Sequence, residues 1–249
     1  MNKLVIRLLF LILSVVCCFF EAKSQAYTLD KDVGVKTYAP GEVIDPINGI
    51  HIYDALIFAT GGDSVRYDKK GYNVQGWIED HYTDGSLLHK GFYIDGQLKV
   101  FKNYYPNGVV ERSFRVIDTK RADIVVYYQD GKTRAEIFYF KQAAQKETDY
   151  YQNGNIEYYE ENQQDMEYLY KRNEFFESGQ PQIVFEISDK KERLYSKKEY
   201  LSNGKLKEEG GMKFHGDLND YLKEGDWKYY DETGKVTKTE KYTNGQVID

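Results

Sequence analysis

Tyr104-Tyr105-Pro106-Asn107-Gly108, Tyr127-Tyr128-Gln129-Asp130-Gly131 and Tyr150-Tyr151-Gln152-Asn153-Gly154 are one pentapeptide written three times at a spacing of 23 residues. The frame reaches back to His81-Tyr82-Thr83-Asp84-Gly85 and forward, more loosely, to copies ending at Gly179, Gly204 and Gly234. Internal repetition at such a period marks a repeat architecture. Each pentapeptide reads as a strand entering a tight turn. Pro106 pre-sets φ at the first corner, and Gly108 supplies the left-handed residue that closes a bulged hairpin. Glycine alone takes that conformation cheaply, so Gly85, Gly108, Gly131, Gly154, Gly179, Gly204 and Gly234 are read as structural turn residues.

Midway between these turns the sequence breaks again, at Asp95-Gly96, Asp118 to Ala122, Gln142 to Glu147, Asn162 to Asp165, Ser188 to Arg193, His215 to Asp220 and Asn244-Gly245. The runs between breaks have ordinary strand length. Two residues past the glycines stand mostly aliphatic side chains such as Leu87, Leu98, Val110 and Ile156, and one residue past them mostly polar ones such as Ser86, Lys132 and Lys205. That alternation is what a half-buried strand requires. The expected fold is all-β, an elongated antiparallel meander of repeated hairpins forming a single-layer or curved sheet over residues 72–249, with the even-offset positions on one apolar face.

Residues 1–26 are of another kind. Lys3 and Arg7 precede an apolar run from Leu8 to Phe20, and Ser24-Gln25-Ala26 offers small residues for cleavage. This is the pattern of a secretory signal peptide, with an apolar part short for a membrane span. The expected location is exported: periplasmic, outer-envelope associated or secreted. Cys17 and Cys18 are the only cysteines; Val15-Val16 lacks the small residue that lipoprotein processing prefers, which ranks lipidation below cleavage. Loss of the segment leaves a mature chain without cysteine, so its stability rests on burial and pairing. Removing Lys3, Arg7, Lys23 and Glu21 from 34 basic and 40 acidic residues leaves 31 and 39, a net charge of about −8. Nucleic acid and anionic lipid both favour a basic surface, so the expected partner is another protein, with the membrane met only through the signal segment.

Residues 27–71 fall outside the frame and are read as a segment capping the first repeat, with strands at Val43-Ile44 and Ile50 to Phe58 around Asn48-Gly49. An exposed terminal edge strand needs such protection.

Gly76-Trp77 through Gly85 and Gly225-Asp226-Trp227 through Gly234 resemble the G-x-W-x-x-Y-x-x-x-G core of MORN (membrane occupation and recognition nexus) repeats. They are closer still to the variant repeats of bacterial exported, antitoxin-type proteins. The resemblance covers roughly residues 72–249 and implies a β-meander acting as a non-catalytic binding or scaffolding module, toxin-neutralising in some members. Most copies lack the internal glycines of the standard unit, and only two keep tryptophan, a departure that bears on lipid binding.

Chemistry-bearing motifs are few. The histidines are His51, His81, His89 and His215; on a strand Glu79 and His81 share a face while Asp80 points away, which makes at most two ligands. There is no G-x-S-x-G, H-E-x-x-H, phosphate-cradling loop or mature cysteine nucleophile. The chain is therefore read as a non-enzyme without cofactor or metal, an envelope hydrolase with an unrecognised site being the least favoured class. The binding candidates are the tyrosine pairs Tyr104/Tyr105, Tyr127/Tyr128 and Tyr150/Tyr151, with Trp77 and Trp227. Adjacent strand residues face opposite ways, so each pair sends one ring to either side of the sheet. One row offers a ladder for a protein or an envelope carbohydrate, or both rows brace the sheet.

Overall fold

The computed structural model describes residues 34–248, so the expected signal peptide and its cleavage site lie outside the described residues. The repeats form one sheet of 16 strands in which every neighbour after the first is the next strand in sequence, and which does not close into a barrel. Its first members are β1 (Thr37–Tyr38), parallel to β4 (Gly76–Tyr82), then β5 (Leu87–Ile94), β6 (Gln97–Tyr104), β7 (Val110–Val116), β8 (Arg121–Tyr127) and β9 (Thr133–Phe140). The meander continues through β10 (Ala143–Tyr150), β11 (Ile156–Asn162), β12 (Leu169–Phe175), β13 (Pro181–Asp189), β14 (Leu194–Tyr200), β15 (Leu206–His215), β16 (Asp220–Tyr230), β17 (Val236–Thr243) and β18 (Gln246–Ile248). A small separate hairpin pairs β2 (Ile44–Asp45) with β3 (Gly49–Ile50).

The seven turn glycines of the frame have φ between +80° and +92°. In the Tyr105 turn, Gly108 N–H donates to Tyr105 O and Tyr105 N–H to Val109 O, both at 2.8 Å, which is the three-residue bulged hairpin. Asn107 Oδ1 accepts from Val109 N–H, so the Asn/Asp before the glycine fixes the corner. The opposite turns differ: Asp95-Gly96, Lys141-Gln142 and Asn244-Gly245 have positive φ at both central positions, the twist-matched two-residue hairpin. The break expected from Gln142 to Glu147 is thus only the pair Lys141-Gln142, and β10 begins at Ala143.

A second bulge follows every frame turn. Asn103 pairs with Arg112 but Tyr104 with Val110, leaving Glu111 extra; the same slip sets out Leu88, Arg134, Glu157, Gln182, Lys207 and Thr237. An extra residue resets the alternation. Even offsets therefore do not share one face. Val110 and its equivalents sit opposite Tyr104 and its equivalents on one side, whereas Arg112, Phe114 and Val116 turn to the other with Asn103.

That other side, the inner face, is covered at its beginning by the chain itself. Val43, Ile50, Tyr53, Ile57 and Val74 pack with Ile78, Leu88, Phe101, Phe114, Ile124 and Ala135 in one core. The run Ile50 to Phe58, expected as strand, keeps only Gly49–Ile50 extended and then makes two 3₁₀ turns, Asp54–Leu56 and Phe58–Thr60. These turns bring Tyr53 and Ile57 down onto the sheet, where each is at most 3 % exposed. Inner-face chemistry changes where the cover ends. Seven residues before successive turn glycines stand Ile78, Phe101 and Ile124, then Glu147, Arg172 and Lys197. The expected apolar face does not run unbroken along the meander: it is interrupted at Glu147 and resumes around Phe185 and Tyr195.

Candidate binding surfaces

The tyrosine pairs divide as adjacent residues must, and the two rows do different work. The second ring of each pair lies on the inner face and donates its hydroxyl to the main chain of the next frame turn: Tyr82 to Tyr104 O at 2.8 Å, Tyr105 to Tyr127 O at 3.2 Å, Tyr128 to Tyr150 O at 2.5 Å, and Tyr151 to Phe175 O at 2.7 Å. Each bond ties one hairpin to the following one. Burial pushes the phenol pKa of Tyr105 and Tyr128 up, as expected for rings packed under their neighbours. The staple lapses where the frame residue becomes Phe176, Leu201 or Asp231. Tyr105, Tyr128 and Tyr151 thus brace the sheet.

The first ring of each pair, Tyr104, Tyr127 or Tyr150, is half-buried on the outer face. Tyr104 and Trp77 line a groove of about 480 Å³ with Lys90, Lys102, Arg115 and Asp123 over a floor that includes Val100 and Val125. Trp77 packs at 5.4 Å from Phe92, and Lys90 lies over its ring at 5.9 Å while pairing with Glu79 at 2.8 Å. Tyr150 donates to Glu136 Oε2 at 3.0 Å.

Trp77 and Trp227 are not equivalent. Trp227 stands two residues past Gly225 and seven before its turn glycine, and the residue so placed in the first repeat is Ile78. Trp227 is fully buried on the inner face, flat on Gly210, where a β-carbon would come within 2.4 Å of the indole. Its Nε1–H donates to Gly211 O at 2.8 Å, and Lys223 Nζ sits 3.8 Å from its ring centroid. Trp227 is a packing residue; of the two tryptophans only Trp77 faces outward.

Sequence reasoning missed the polar network beneath the N-terminal segment. Asp80, buried on the inner face, accepts two 2.7 Å hydrogen bonds from the Arg66 guanidinium, one at 2.9 Å from Tyr53 OH and one at 2.9 Å from Lys36 N–H. Burial alone would raise its carboxyl pKa, but the paired Arg66 bonds and charge hold it below the usual range. His89 stacks on Tyr53 at 3.7 Å, with Nδ1 to Asn103 Oδ1 at 2.8 Å and Nε2 to Tyr93 OH at 3.0 Å. Complete burial lowers its pKa to about 4, against the opposing bond from Asn103. Further along, Glu111 Oε1 takes Ile50 N–H, Arg112 reaches Asp54 Oδ1 and Asn48 O, and Arg134 reaches Ile47 O. The available signal was positional: Asp80 and Asn103 occupy one column of the repeat, five residues before the turn glycine, on an otherwise apolar face.

The N-terminal segment packs on the sheet as far as Ile137 and Tyr139 of β9, and Asn48 reaches the pocket at the start of β10. Glu147 and Asp149 line a pocket of about 240 Å³ with Tyr128 and Arg134, and burial first, then neighbouring carboxylates, pushes both acids up. Farther on, Phe185 and Tyr195 stack at 4.9 Å with Tyr221 edge-on to both, at 5.0 and 4.9 Å. Leu169, Ile183, Met212 and Phe214 complete this patch. Among the described residues, no group of three or more His, Cys, Asp or Glu is placed to hold a metal ion, and no helix is long and apolar enough to cross a membrane.

Fold and surfaces together define a β-hairpin repeat protein built as one open sheet, with a binding role. Residues 223–244, the hairpin carrying Gly225, Trp227, Tyr230 and Gly234, match the family model described as MORN repeat variant, which supports the MORN-repeat assignment. No curated protein sequence matches the chain. Among solved structures it is similar to the crystal structure of TarM, with a TM-score of 0.26 and 9% identity over 59% of this chain and 21% of that one. It is also similar to an S. aureus TarM mutant crystallised with fondaparinux, α-GlcNAc-glycerol and UDP, with a TM-score of 0.23, 10% identity and the same coverage. The matched region thus spans about a fifth of the TarM chain.

Proposed function

We propose that this chain is an exported, non-catalytic protein-binding module that presents the inner face of β10–β17, beyond the N-terminal segment, to a protein of the cell envelope or to a toxin that it neutralises. The observation that carries the reading is the mismatch between cover and sheet. The chain's own segment covers the beginning of the inner face, and an aromatic patch around Phe185, Tyr195 and Tyr221 lies past its end. Phe185 and Tyr195 are buried at its centre, while Ile183, Ile187, Met212, Phe214 and Tyr221 around them stay partly exposed, and apolar surface of this kind marks interaction sites. The signal-like residues 1–26 support export, and the absence of a nucleophile–base motif in the sequence supports a non-enzymatic role.

The test is capture from an envelope extract by the full mature chain and by a Tyr221→Ala variant. A protein retained by the first and lost from the second supports the reading; capture indifferent to Tyr221 overturns it. A second reading, envelope carbohydrate, is favoured by the outer groove, where Trp77 and Tyr104 stand among hydrogen-bonding Lys102, Arg115 and Asp123. Glycan-array binding lost on Trp77→Ala would support it in place of the first.

A further inference from the structure

The outer face, opposite the N-terminal segment, carries a depression whose origin can be read along two cross-strand rows. One row runs Trp77, Phe92, Val100, Arg115 and Asp123, and the other Glu79, Lys90, Lys102, Ser113 and Val125. Directly paired residues share a face, so both rows stand on the outer side with Tyr104. Val100, Ser113 and Val125 are short, and the longer side chains around them leave the groove of about 480 Å³. That volume lies within the range of small-ligand sites, roughly 300–1,000 Å³. Val100, on its floor, is 37 % exposed.

Charge in the groove does not balance. Lys90 pairs with Glu79 at 2.8 Å, and Arg115 with Asp123 at 2.7 Å. Lys102 Nζ has no ion-pair or hydrogen-bond partner among the described residues, and the hydroxyls of Ser113 and Tyr104 make no hydrogen bond there. Lys90, Lys102 and Arg115 against Glu79 and Asp123 leave one positive charge beside an apolar floor, in a chain whose formal net charge is −6. Charge complementarity therefore selects an occupant carrying a single negative charge.

The main chain narrows the choice further. Strands β5–β7 are hydrogen-bonded to neighbours on both sides, so the floor has no free sheet edge on which an extended peptide could add as a strand. It presents side-chain donors and acceptors around apolar surface at Trp77, Val100 and Val125. A sugar ring has the matching shape, with C–H groups to lay on the floor and hydroxyls to meet the rim.

We propose that the outer groove of β4–β8 binds an acidic saccharide, a uronic acid unit whose carboxylate meets Lys102 while its ring rests against Trp77 and the valine floor and its hydroxyls reach Ser113, Tyr104 and Asp123. This rests on the carbohydrate reading above and adds the ligand's charge and the residue that reads it.

The experiment measures labelled tetramers of galacturonate, glucuronate and mannuronate, each beside its carboxyl-reduced neutral counterpart and a sulfated neutral tetramer, by fluorescence anisotropy on the full mature chain. At least one uronate tetramer should bind about tenfold or more tighter than its neutral counterpart, the scale of a charge-assisted hydrogen bond, and its affinity should fall as salt rises. Lys102→Met keeps the apolar stem of an exposed side chain and removes the charge, so it should abolish that tenfold preference without changing the melting temperature. Trp77→Ala should weaken acidic and neutral tetramers alike, and Tyr221→Ala, on the inner face, should weaken neither. A neutral tetramer bound as tightly as its acidic form and lost on Trp77→Ala would leave the carbohydrate reading standing and overturn the acidic ligand. Preference for the sulfated tetramer, or a uronate preference indifferent to Lys102→Met, would overturn it as well. Binding of no tetramer of either charge by a chain that melts normally would end both.

Discussion

Replacing Asp80 by asparagine removes one negative charge from beneath the N-terminal segment and leaves its shape almost unchanged. The side chains of Arg66 and Asp80 are 4 % and 0 % exposed, and the pair is joined by two 2.7 Å hydrogen bonds. Removing one partner of a buried pair strands the other charge out of water, a loss of about 3–5 kcal/mol. At roughly 1.4 kcal/mol per decade this opens the segment about a hundredfold to several thousandfold more often. In a linear array such a loss stays local, so the assay is residue-resolved hydrogen exchange rather than one global midpoint. The amides to follow are His81 N–H, bonded to Lys36 O, Thr83 N–H, bonded to Tyr38 O, and Arg66 N–H, bonded to Gly96 O. Their exchange should accelerate by that factor while amides in β12–β16 do not change. Asp123→Asn breaks a pair of similar length, but Arg115 and Asp123 are 66 % and 32 % exposed, so its effect should stay under about 1 kcal/mol. Equal effects from the two variants, or unchanged exchange in the segment after Asp80→Asn, would refute the latch.

Tyr128→Phe deletes the hydroxyl bonded to Tyr150 O and should destabilise its hairpins by about 1 kcal/mol, whereas Tyr127→Phe on the outer face should change little, read by local hydrogen exchange. Gly210→Ala would place a β-carbon within 2.4 Å of the Trp227 ring, so loss of the buried-indole fluorescence of Trp227 is expected; Gly41→Ala, with nothing within 4 Å, should leave it intact. Acid should weaken the latch through His89, whose folded pKa of about 4 lies below its ordinary 6.5: its contribution is complete above pH 6.5 and is lost as pH falls toward 4, with an upper bound of about 3 kcal/mol. Asp80, also depressed, adds a loss in the same direction below its usual 3.8, whereas Glu111, raised by burial, runs the other way and favours the fold as it protonates. Melting temperatures of the wild type and His89→Gln across pH 7 to 4 check the sign; a steeper pH dependence in the variant would contradict it.

The turns were legible from sequence because a left-handed residue has a chemical signature, glycine after a short polar residue: five of the seven frame glycines follow Asn or Asp, and the other two follow Ser178 and Thr233. The bulge three residues later was not, because an extra residue needs no particular side chain: Leu88, Glu111, Arg134 and Glu157 share nothing. Face assignments made by counting past the glycine therefore mixed Val110 with Phe114. Counting backwards from it crosses no bulge, and the columns Ile78-Phe101-Ile124-Glu147 and Asp80-Asn103-Val126-Asp149 show both the covered face and its end. The split of each tyrosine pair followed from period two, but which ring braces the sheet depended on a carbonyl 22 residues away. The grip of Arg66 on Asp80 is of the same kind, a long-range pairing with no periodicity to announce it. Trp77 misled because its neighbouring glycine imitates the repeat signature one residue out of step with Trp227.

The claim that binding takes place on the inner face beyond the chain's own cover is tested most directly on two adjacent residues of β13. Ile183 packs with the aromatic patch, and Val184, pairing with Asn173 and Lys198, faces the opposite way. A photo-crosslinking benzoylphenylalanine placed at Ile183 should join the chain to its captured partner, and the same group at Val184 should not. Crosslinking from Val184 with none from Ile183 would put the partner on the outer face and contradict the account.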